Sequence, residues 1–282
     1  MAVGEVLVLG ATSLIGRFLL PRLGAAGTSV VALSRVPREP LAGVRWVVGD
    51  LTQPATLSDL GPVEQVFSLS PIWLLPESLE ALLGLGMRRL VAFSSTSLMT
   101  KQASASDYER GVAAALAEGE VGVERFCAAH GVGYTLLRPT LIYAEGQDGN
   151  VSRLAALIRR FGVLPLPGEG RGRRQPVHAD DLAAVSLSAM ARPASNRAYA
   201  VPGGETLTYR AMVERIFEGL GRRPLIVTLP APLVRLGYTM ARPLLPGSTG
   251  QMVDRIAEDL VFDAADAQRD LGWSPRAFHP RF

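Results

Sequence analysis

The chain has 282 residues, of which 48% are hydrophobic, and its 29 basic and 26 acidic residues leave a formal net charge of +3. This composition predicts an ordered globular protein, large enough for one α/β domain with an appended lobe or for two domains. The small positive excess suits anionic small molecules. Because no basic stripe with interleaved aromatic residues is present, we expect no nucleic-acid partner.

Cysteine and histidine usage excludes two kinds of site. Cys127 is the only cysteine, so a disulfide within the chain is impossible, and we expect this side chain to pack as a small apolar residue. His130, His178 and His279 show no metal-ligand spacing. We therefore predict no metal site.

Apolar stretches are too interrupted to cross a membrane. The longest lie near residues 72–85 and 225–245, and prolines and charged residues break both of them. The first predicted strand starts within five residues of Met1. We therefore expect no membrane span, no signal peptide and a cytoplasmic location.

The first predicted strand leads into a glycine turn. Val6 to Leu9 is a short apolar run, typical of a parallel strand covered on both faces. Gly10 and Gly16 follow, six residues apart like the outer glycines of a dinucleotide-binding turn, and Ser13 stands where a middle glycine is usual. Such a turn places N–H groups and the positive end of the next helix, predicted from about Leu14, against a pyrophosphate. The predicted cofactor contacts in this turn are Gly10, Thr12, Ser13, Leu14, Ile15 and Gly16.

The second strand, predicted over 29–33, ends at Ser34 and Arg35. In a dinucleotide-binding fold, an acidic residue at this point holds the adenosine ribose, whereas an arginine suits a 2′-phosphate. Arg35 has no acidic neighbour before Glu39, which favours NADP(H) over NAD(H). Alternatively, Arg35 or Arg38 simply faces solvent.

The third and fourth strands add further candidate cofactor contacts. The third, over 44–48, is followed by Asp50 and Leu51, and Asp50 either accepts a hydrogen bond from the adenine amino group or caps the next turn. The fourth, over 65–69, ends at the same predicted sheet edge. We predict contacts there from Leu69, Ser70 and Pro71.

A run of hydroxyl residues follows the fifth strand, which is predicted over 89–93. Ser94, Ser95 and Thr96 therefore lie where open α/β sheets bind ligands, although such residues also cap turns.

A long helix and a sixth strand come next. Ser106 and Glu109 are spaced as a capping box, and the helix is predicted to continue to about Ala129 and to end at Gly131. The sixth strand, over 134–137, leads towards further candidate cofactor contacts. These are Pro139 and Leu141.

Six motifs resemble, in the same order, those of the extended short-chain dehydrogenase/reductase family of NAD(P)-dependent epimerases, dehydratases and reductases. They are Gly10-Ala-Thr-Ser-Leu-Ile-Gly16, Gly49-Asp-Leu51, Phe93-Ser-Ser-Thr96, Leu137-Arg-Pro-Thr-Leu-Ile-Tyr143, Pro176-Val-His-Ala-Asp-Asp-Leu182 and Asp270-Leu-Gly-Trp-Ser-Pro275. The resemblance implies a Rossmann-type doubly wound parallel sheet with a smaller, mostly C-terminal α/β substrate lobe. It predicts an NADP-binding domain over 1–148, to which the chain returns at about 175–200, and a substrate lobe over 149–174 and 201–282.

The resemblance also shows a departure from the family's chemistry. The family uses a Tyr-x-x-x-Lys pair on the long helix, in which the tyrosine transfers a proton and the lysine lowers its pKa and holds the ribose. Lys101 is the only lysine here, and Ser97 stands four residues before it. Aligning the flanking motifs places Leu116 and Glu120 at the two positions, as in atypical members of the superfamily.

Other family positions imply roles for individual residues. Thr96 matches the Ser/Thr that hydrogen-bonds the reacting hydroxyl, and we predict a catalytic and substrate-binding role for it. Arg174 matches an arginine that grips a substrate diphosphate in several relatives, or else it is a surface loop charge. Tyr143 is either a replacement acid or a core residue. His178 belongs to a mainly structural motif that starts a helix.

The C-terminal third is predicted to contain two capped helices and an apolar stretch. Asn150 is expected to cap a helix over 151–161, and Thr208 one over 209–220. The proline-marked stretch 229–245 lines the substrate pocket, lies against a membrane surface or a partner helix, or is plain core.

Two classes of function follow from the sequence. The first is an NAD(P)(H)-dependent oxidoreductase or epimerase that acts on a nucleotide-sugar or another hydroxyl- or keto-bearing small molecule with atypical catalytic residues. The second is a catalytically inactive, cofactor-binding protein with a regulatory, assembly or scaffold role. Because family relatives often dimerise through paired long helices, a homodimer is a further expectation.

Overall fold

The computed structural model describes residues 5–230, 232–234 and 255–282. The chain divides into two compact units, each made of three segments. The first unit contains Met1–Pro139, Ala179–Val201 and Ala264–Ser274. The second contains Thr140–His178, Pro202–Asp263 and Pro275–Phe282.

Strands and helices alternate through most of the chain. The strands are β1 (Val6–Leu9), β2 (Val30–Ser34), β3 (Val44–Val48), β4 (Gln65–Ser68), β5 (Arg89–Phe93), β6 (Gly133–Pro139), β7 (Ile142–Tyr143), β8 (Leu164–Pro167), β9 (Arg173–Arg174), β10 (Val177–His178), β11 (Arg197–Val201), β12 (Leu207–Thr208) and β13 (Ile226–Leu229). The helices are α1 (Gly16–Ala25), α2 (Leu79–Gly84), α3 (Ser97–Thr100), α4 (Asp107–His130), α5 (Val151–Phe161), α6 (Ala179–Ala191), α7 (Tyr209–Gly219) and α8 (Ala265–Leu271). Short 3₁₀ helices cover Pro54–Leu60, Ile72–Leu74 and Pro76–Ser78.

A seven-stranded sheet with the order β3-β2-β1-β4-β5-β6-β11 forms the first unit. Every pairing in it is parallel. The strand order reverses between β1 and β4, which is where doubly wound sheets leave a crevice for ligands. The predicted Rossmann-type fold class is confirmed.

Helices cover both faces of this sheet. On one face, apolar residues of the strands form a buried cluster with side chains of α2 and α4, including Leu82, Leu116 and Cys127. On the other face α1 packs against α6, and α6 contacts β5. This arrangement explains why β1 and β2 are buried at every position and show no polar alternation.

Local capping agrees with two of the sequence predictions. The Ser106 hydroxyl accepts a hydrogen bond from the Glu109 N–H at 3.4 Å, and Gly131 ends α4 in the left-handed conformation. The Thr208 hydroxyl likewise accepts from the Ala211 N–H at 3.1 Å, so Thr208 caps α7.

The predicted cap of α5 is wrong. Asn150 makes no side-chain cap bond. Instead, the Asp148 carboxylate accepts hydrogen bonds from the N–H groups of Asn150 at 2.7 Å and Ser152 at 3.2 Å. Asp148 takes this role because a charged acceptor at the positive end of a helix binds N–H groups more strongly than a neutral amide does.

The second unit has its own core and three two-stranded sheets. β7 pairs with β10 and β8 with β13 in parallel, whereas β9 pairs with β12 antiparallel. Side chains of α5 and α7 pack in one buried cluster with Tyr143, Phe217 and Phe278.

The compact units differ from the predicted domain limits mainly in two segments. Residues 140–148 fall in the second unit, and residues 264–274 fall in the first. The second difference has a clear cause, because the Ser188 hydroxyl donates to the Leu271 carbonyl at 2.6 Å and the Tyr199 hydroxyl donates to Asp270 at 3.0 Å. These bonds attach α8 to α6 and β11.

Most of the apolar stretch predicted over 229–245 lies outside the described residues, which include only 229–230 and 232–234 of it. Among the helices that the structure does describe, none has the length and apolar character needed to cross a bilayer.

Candidate functional site

The turn between β1 and α1 leaves no room for side chains at its two glycines. Gly10 has a φ of +65°, and a Cβ there would lie 2.7 Å from the Ser70 nitrogen. At Gly16 a Cβ would lie 2.1 Å from the Ala11 carbonyl oxygen. The helix α1 begins at Gly16, two residues later than predicted. The chain therefore needs glycine at both positions to make this turn against β4.

The start of α1 has backbone N–H groups that donate to no carbonyl within the helix. The Ser13 hydroxyl accepts a hydrogen bond from the Gly16 N–H at 3.2 Å, and its own proton remains available. Within the described residues, the N–H groups of Leu14 and Ile15 have no acceptor. Unpaired donors at a helix N-terminus form an anion-binding site, and Thr12 lies exposed on the same turn.

The two arginines after β2 have different environments. Arg38 Nε donates to the Ser34 hydroxyl at 3.0 Å, and that hydroxyl donates in turn to the Val36 carbonyl at 2.8 Å. Arg35 is exposed and makes no hydrogen bond with the part of the chain that the structure describes. Arg35 thus has its whole guanidinium available to a ligand, whereas Arg38 uses its Nε to bind Ser34.

Asp50 caps the turn that follows β3. Its Oδ1 accepts from the backbone N–H and the hydroxyl of Thr52, both at 2.9 Å. These hydrogen bonds, with a smaller effect from the charge of Arg35, hold the pKa of Asp50 below its usual value. The second oxygen, Oδ2, has no partner among the described residues, so capping leaves one acceptor free. Leu51, beside it, is buried.

The end of β4 lies directly beside the glycine turn. The Leu69 N–H donates to the Leu9 carbonyl at 2.9 Å, which continues the β1–β4 pairing by one residue. Ser70 then contacts Gly10, and Pro71 begins the next 3₁₀ helix.

The ends of β5 and β6 hold Thr96 in place. The N–H and the hydroxyl of Thr96 both donate to the Pro139 carbonyl, at 3.1 and 3.0 Å. The Thr96 hydroxyl, in a side chain only 6% exposed, can therefore act towards a ligand only as an acceptor. Ser95 accepts from the Ser97 N–H at 3.1 Å, whereas the buried Ser94 hydroxyl has no partner in the described part of the chain.

Because the carboxyl ends of parallel strands meet at one edge of the sheet, the first unit brings most predicted site residues to that edge. These are Gly10, Thr12, Ser13, Leu14, Ile15, Gly16, Ser34, Arg35, Asp50, Leu51, Leu69, Ser70, Pro71, Ser94, Ser95, Thr96 and Pro139. The remaining predicted residues, Leu141, Tyr143 and Arg174, belong to the second unit.

Tyr143 is a core residue of the second unit. It is 1% exposed, and its ring packs edge-on against His178 and Phe278 at centroid distances of 5.0 and 4.9 Å. His178 Nε2 lies 3.0 Å from a carboxylate oxygen of Glu145. The geometry agrees with the core alternative for Tyr143, and we do not retain it as an acid.

Arg174 is buried, which excludes the alternative of a surface loop charge. It is 6% exposed, and its guanidinium donates to the carbonyl oxygens of Arg173, Arg255 and Glu258. Burial lowers the pKa of Arg174, and within the described residues no carboxylate lies at ion-pair distance.

A cavity of the second unit opens beside Arg174. The guanidinium carbon lies 5.9 Å from the ring centroid of Tyr209, which the sequence analysis did not single out. The cavity is mainly apolar, and its lining residues are Leu141, Gly149, Asn150, Val151, Arg153, Leu154, Leu157, Arg174, Tyr209 and Met212. A buried cation in an apolar wall is suited to an anionic group attached to a larger ligand.

The two positions that we predict to align with the family's Tyr/Lys pair lie inside the first unit. Leu116 and Glu120 are each 3% exposed. Leu116 packs in the apolar cluster, and the Glu120 carboxylate binds Arg138 through both oxygens. Hydrogen bonds to Glu120 raise the pKa of the Arg138 guanidinium. Arg138 was not among the predicted site residues. A charged residue near the end of a buried strand is unusual, and it could have indicated a buried partner or a ligand.

Among the described residues, no group of three or more His, Cys, Asp or Glu side chains is placed to bind a metal ion.

Comparison with known proteins agrees with the motif-based relationship. Residues 77–201 match the model of the NAD dependent epimerase/dehydratase family. The chain is 28% identical over 156 residues to the uncharacterized protein YbjS of Escherichia coli K12, covering 50% of this chain and 45% of YbjS. It is 26% identical over 141 residues to a UDP-glucose 4-epimerase of Vibrio cholerae, covering 50% of this chain and 41% of that enzyme. The matched part thus spans less than half of either relative.

A solved structure resembles almost the whole chain. MoeE5 in complex with UDP-glucose and NAD superimposes with a TM-score of 0.73 at 22% identity, covering 98% of this chain and 94% of MoeE5. At this identity the similarity concerns the fold.

Proposed function

We propose that this chain, which belongs to the NAD dependent epimerase/dehydratase family, binds NADP(H) and acts as an oxidoreductase or epimerase on a nucleotide-sugar or a related hydroxyl or keto compound. The observation that supports this most directly is the glycine turn. Gly10 approaches Ser70 too closely for any side chain, and the N–H groups of Leu14 and Ile15 are left unpaired beside it. Together they offer a pyrophosphate the donors that it needs.

The preference for NADP(H) is part of the proposal and depends on Arg35. An exposed guanidinium without a hydrogen-bond partner in the described chain is available to a 2′-phosphate, and Arg–phosphate pairs are strong and often bidentate. The similar structure named above holds NAD, so the choice between the two cofactors requires measurement.

Calorimetric titration with NADP⁺ and NAD⁺ tests both parts. We expect the protein to bind NADP⁺ more tightly, and Arg35→Ala to weaken NADP⁺ binding by roughly 10- to 100-fold with little effect on NAD⁺. Arg125→Ala, which removes an exposed arginine of α4, is the matched control and should change neither affinity. Binding of neither dinucleotide by the unaltered protein would refute the proposed cofactor site.

The substrate class is inferred from Arg174 and its cavity. A buried guanidinium suits one phosphate group of a nucleotide diphosphate, and the apolar lining suits a base or sugar face. Because the Vibrio cholerae relative is a UDP-glucose 4-epimerase, UDP-glucose is the first probe. We expect Arg174→Leu to weaken UDP-glucose binding at least tenfold, and Arg171→Leu, at an exposed loop position, to leave it unchanged.

In this proposal Thr96 accepts a hydrogen bond from the reacting hydroxyl of the substrate. Its proton is already bonded to the Pro139 carbonyl, so the Thr96 oxygen would accept a hydrogen bond from the substrate hydroxyl and orient it. The bound cofactor would supply the hydride chemistry. Thr96→Val should suppress any change in reduced-nicotinamide absorbance on addition of substrate. It should leave NADP⁺ affinity within about twofold of the unaltered value.

A second candidate function is cofactor binding without turnover, in a regulatory, assembly or scaffold role. Leu116 lies in the core and Glu120 binds Arg138, so neither position supplies the tyrosine or lysine that the family uses. Tight NADP(H) binding with no turnover across a panel of nucleotide-sugars and simple ketones would favour this alternative. Reproducible epimerisation or oxidation of one compound would exclude it.

A further inference from the structure

Arg138 is a cation at the carboxyl end of β6, immediately before the residue that holds Thr96. The Leu137 carbonyl accepts from the Ser94 N–H at 2.8 Å, and the Pro139 carbonyl accepts from the Thr96 N–H at 3.1 Å. Arg138 stands between these two carbonyls in sequence. Its backbone is therefore part of the ligand-binding edge of the sheet.

The guanidinium of Arg138 is only partly used. Nε donates to Glu120 Oε1 at 2.9 Å, and Nη2 donates to Glu120 Oε2. Nη1 has no hydrogen-bond partner within the described chain and is not among its buried unpartnered atoms. The Glu120 side chain is 5% exposed, whereas that of Arg138 is 24% exposed. Glu120 therefore anchors one edge of the guanidinium and leaves the other edge accessible.

The anchoring makes Arg138 suitable for holding a ligand. A long side chain loses rotamer entropy when it binds, and the fixed fork at Glu120 has already removed most of that freedom. The sole lysine, Lys101, is instead paired with Glu109 at 3.3 Å in the first turn of α4. Arg138 is thus a preorganised donor on the strand whose end holds Thr96.

The sheet topology indicates what this donor meets. In a doubly wound sheet, one nucleotide half lies over the strands on one side of the switch point and the other half lies over the strands on the other side. Arg35 follows β2, on the adenosine side of our proposed cofactor, and Arg138 ends β6 on the opposite side. We infer that Arg138, positioned by Glu120, donates a hydrogen bond through Nη1 to a ribose hydroxyl on the nicotinamide half of the dinucleotide.

This inference depends on the proposed cofactor site. Two probes distinguish failure of the Arg138 contact from failure of the cofactor site as a whole. NADP⁺ contains both nucleotide halves, whereas 2′,5′-ADP contains only the adenosine half. The test variant is Glu120→Gln with Arg138→Gln, because changing both residues avoids leaving one buried charge without its partner. The control is Asp107→Asn with Arg110→Gln, which removes an exposed ion pair from the same helix.

We expect the test variant to bind NADP⁺ roughly tenfold more weakly and 2′,5′-ADP within about twofold of the unaltered protein. The control variant should match the unaltered protein with both probes, and Arg138→Lys should lose part of the NADP⁺ affinity because lysine lacks the fork that Glu120 holds. An equal loss for both probes, or no loss for either, would overturn the inference. If the unaltered protein binds neither probe, the cofactor site itself fails, and the role of Arg138 fails with it.

Discussion

Glu120 and Arg138 form a bidentate ion pair between α4 and β6, with Nε donating to Oε1 at 2.9 Å. The pair joins the long helix to the strand whose end holds Thr96. Glu120 is the residue that we predict to align with the lysine of the family's Tyr/Lys pair. Because Arg138 compensates the buried carboxylate, the fold accommodates Glu120 without an orphaned charge.

We predict that Glu120→Gln destabilises the protein through this pair. The change leaves the Arg138 guanidinium partly buried beside a neutral amide, and loss of one partner of a buried pair costs about 3–5 kcal/mol in the free energy of unfolding. Because the Arg138 side chain is 24% exposed, we expect the lower end of that range. Glu118→Gln, at an exposed position of the same helix, is the matched control. Equal denaturant midpoints for the two variants would contradict the prediction.

Gly10→Ala should weaken dinucleotide binding and destabilise the first unit. Its φ of +65° is unfavourable for alanine by about 1–2 kcal/mol, and the added Cβ would overlap the Ser70 nitrogen at 2.7 Å. Gly27→Ala isolates the cost of the left-handed backbone, because Gly27 has a φ of +70° and an added Cβ would meet no atom within 4 Å. We expect Gly10→Ala to lower the melting temperature further than Gly27→Ala, and only Gly10→Ala to weaken NADP⁺ binding. Similar effects of both would show that the close contact with Ser70 is unimportant.

Asp148→Ala should cost about 1–2 kcal/mol of stability, the usual range for removing a helix cap. Asp148 accepts hydrogen bonds from the N–H groups of Asn150 and Ser152 and from the Ser152 hydroxyl, and all of these would be lost. Asn150→Ala is the comparison, since Asn150 makes no side-chain cap bond. Urea denaturation of the two variants measures the difference. A larger loss of stability in Asn150→Ala than in Asp148→Ala would indicate that Asn150 caps α5, as predicted from the sequence.

Cys127 should make stability depend on pH in the alkaline range. Burial raises the pKa of its thiol to about 11, above the usual value of about 8.5. The unfolded state therefore loses the thiol proton first, and the free energy of unfolding falls as pH rises from about 8.5 to 11, by at most about 3 kcal/mol. Cys127→Ala should remove this part of the slope. The measurement is denaturant unfolding of both proteins between these pH values, and parallel pH profiles would contradict the prediction.

The order of strands and helices could be predicted from the sequence because its signals are local. The strands predicted over 44–48 and 89–93 coincide with β3 and β5, and the helix predicted over 151–161 coincides with α5. Ser106 and Thr208 cap their helices as their spacing indicates. N-capping depends on neighbours within a few residues, and strand propensity and apolar composition are likewise read from short stretches of the chain.

The placement of the strand-end residues was also predictable, given a parallel sheet. Gly10, Arg35, Asp50 and Thr96 all follow strands, and parallel pairing alone brings strand ends to one edge. The family relationship came from motifs in the same order, and the family-model match over residues 77–201 supports it. The contacts that these residues make with a cofactor remain predictions.

What the sequence determined by itself was the succession of elements, the parallel sheet and the resemblance to the epimerase/dehydratase family. What only the tertiary structure decided was which partner each polar group meets. The Arg174 guanidinium donates to the carbonyl oxygens of Arg255 and Glu258, which are more than eighty positions away in the sequence. Glu120 accepts from Arg138, eighteen positions further along the chain. Such partners are set by how elements pack, because hydrogen bonds and ion pairs depend on distances of a few ångströms that local propensity does not encode.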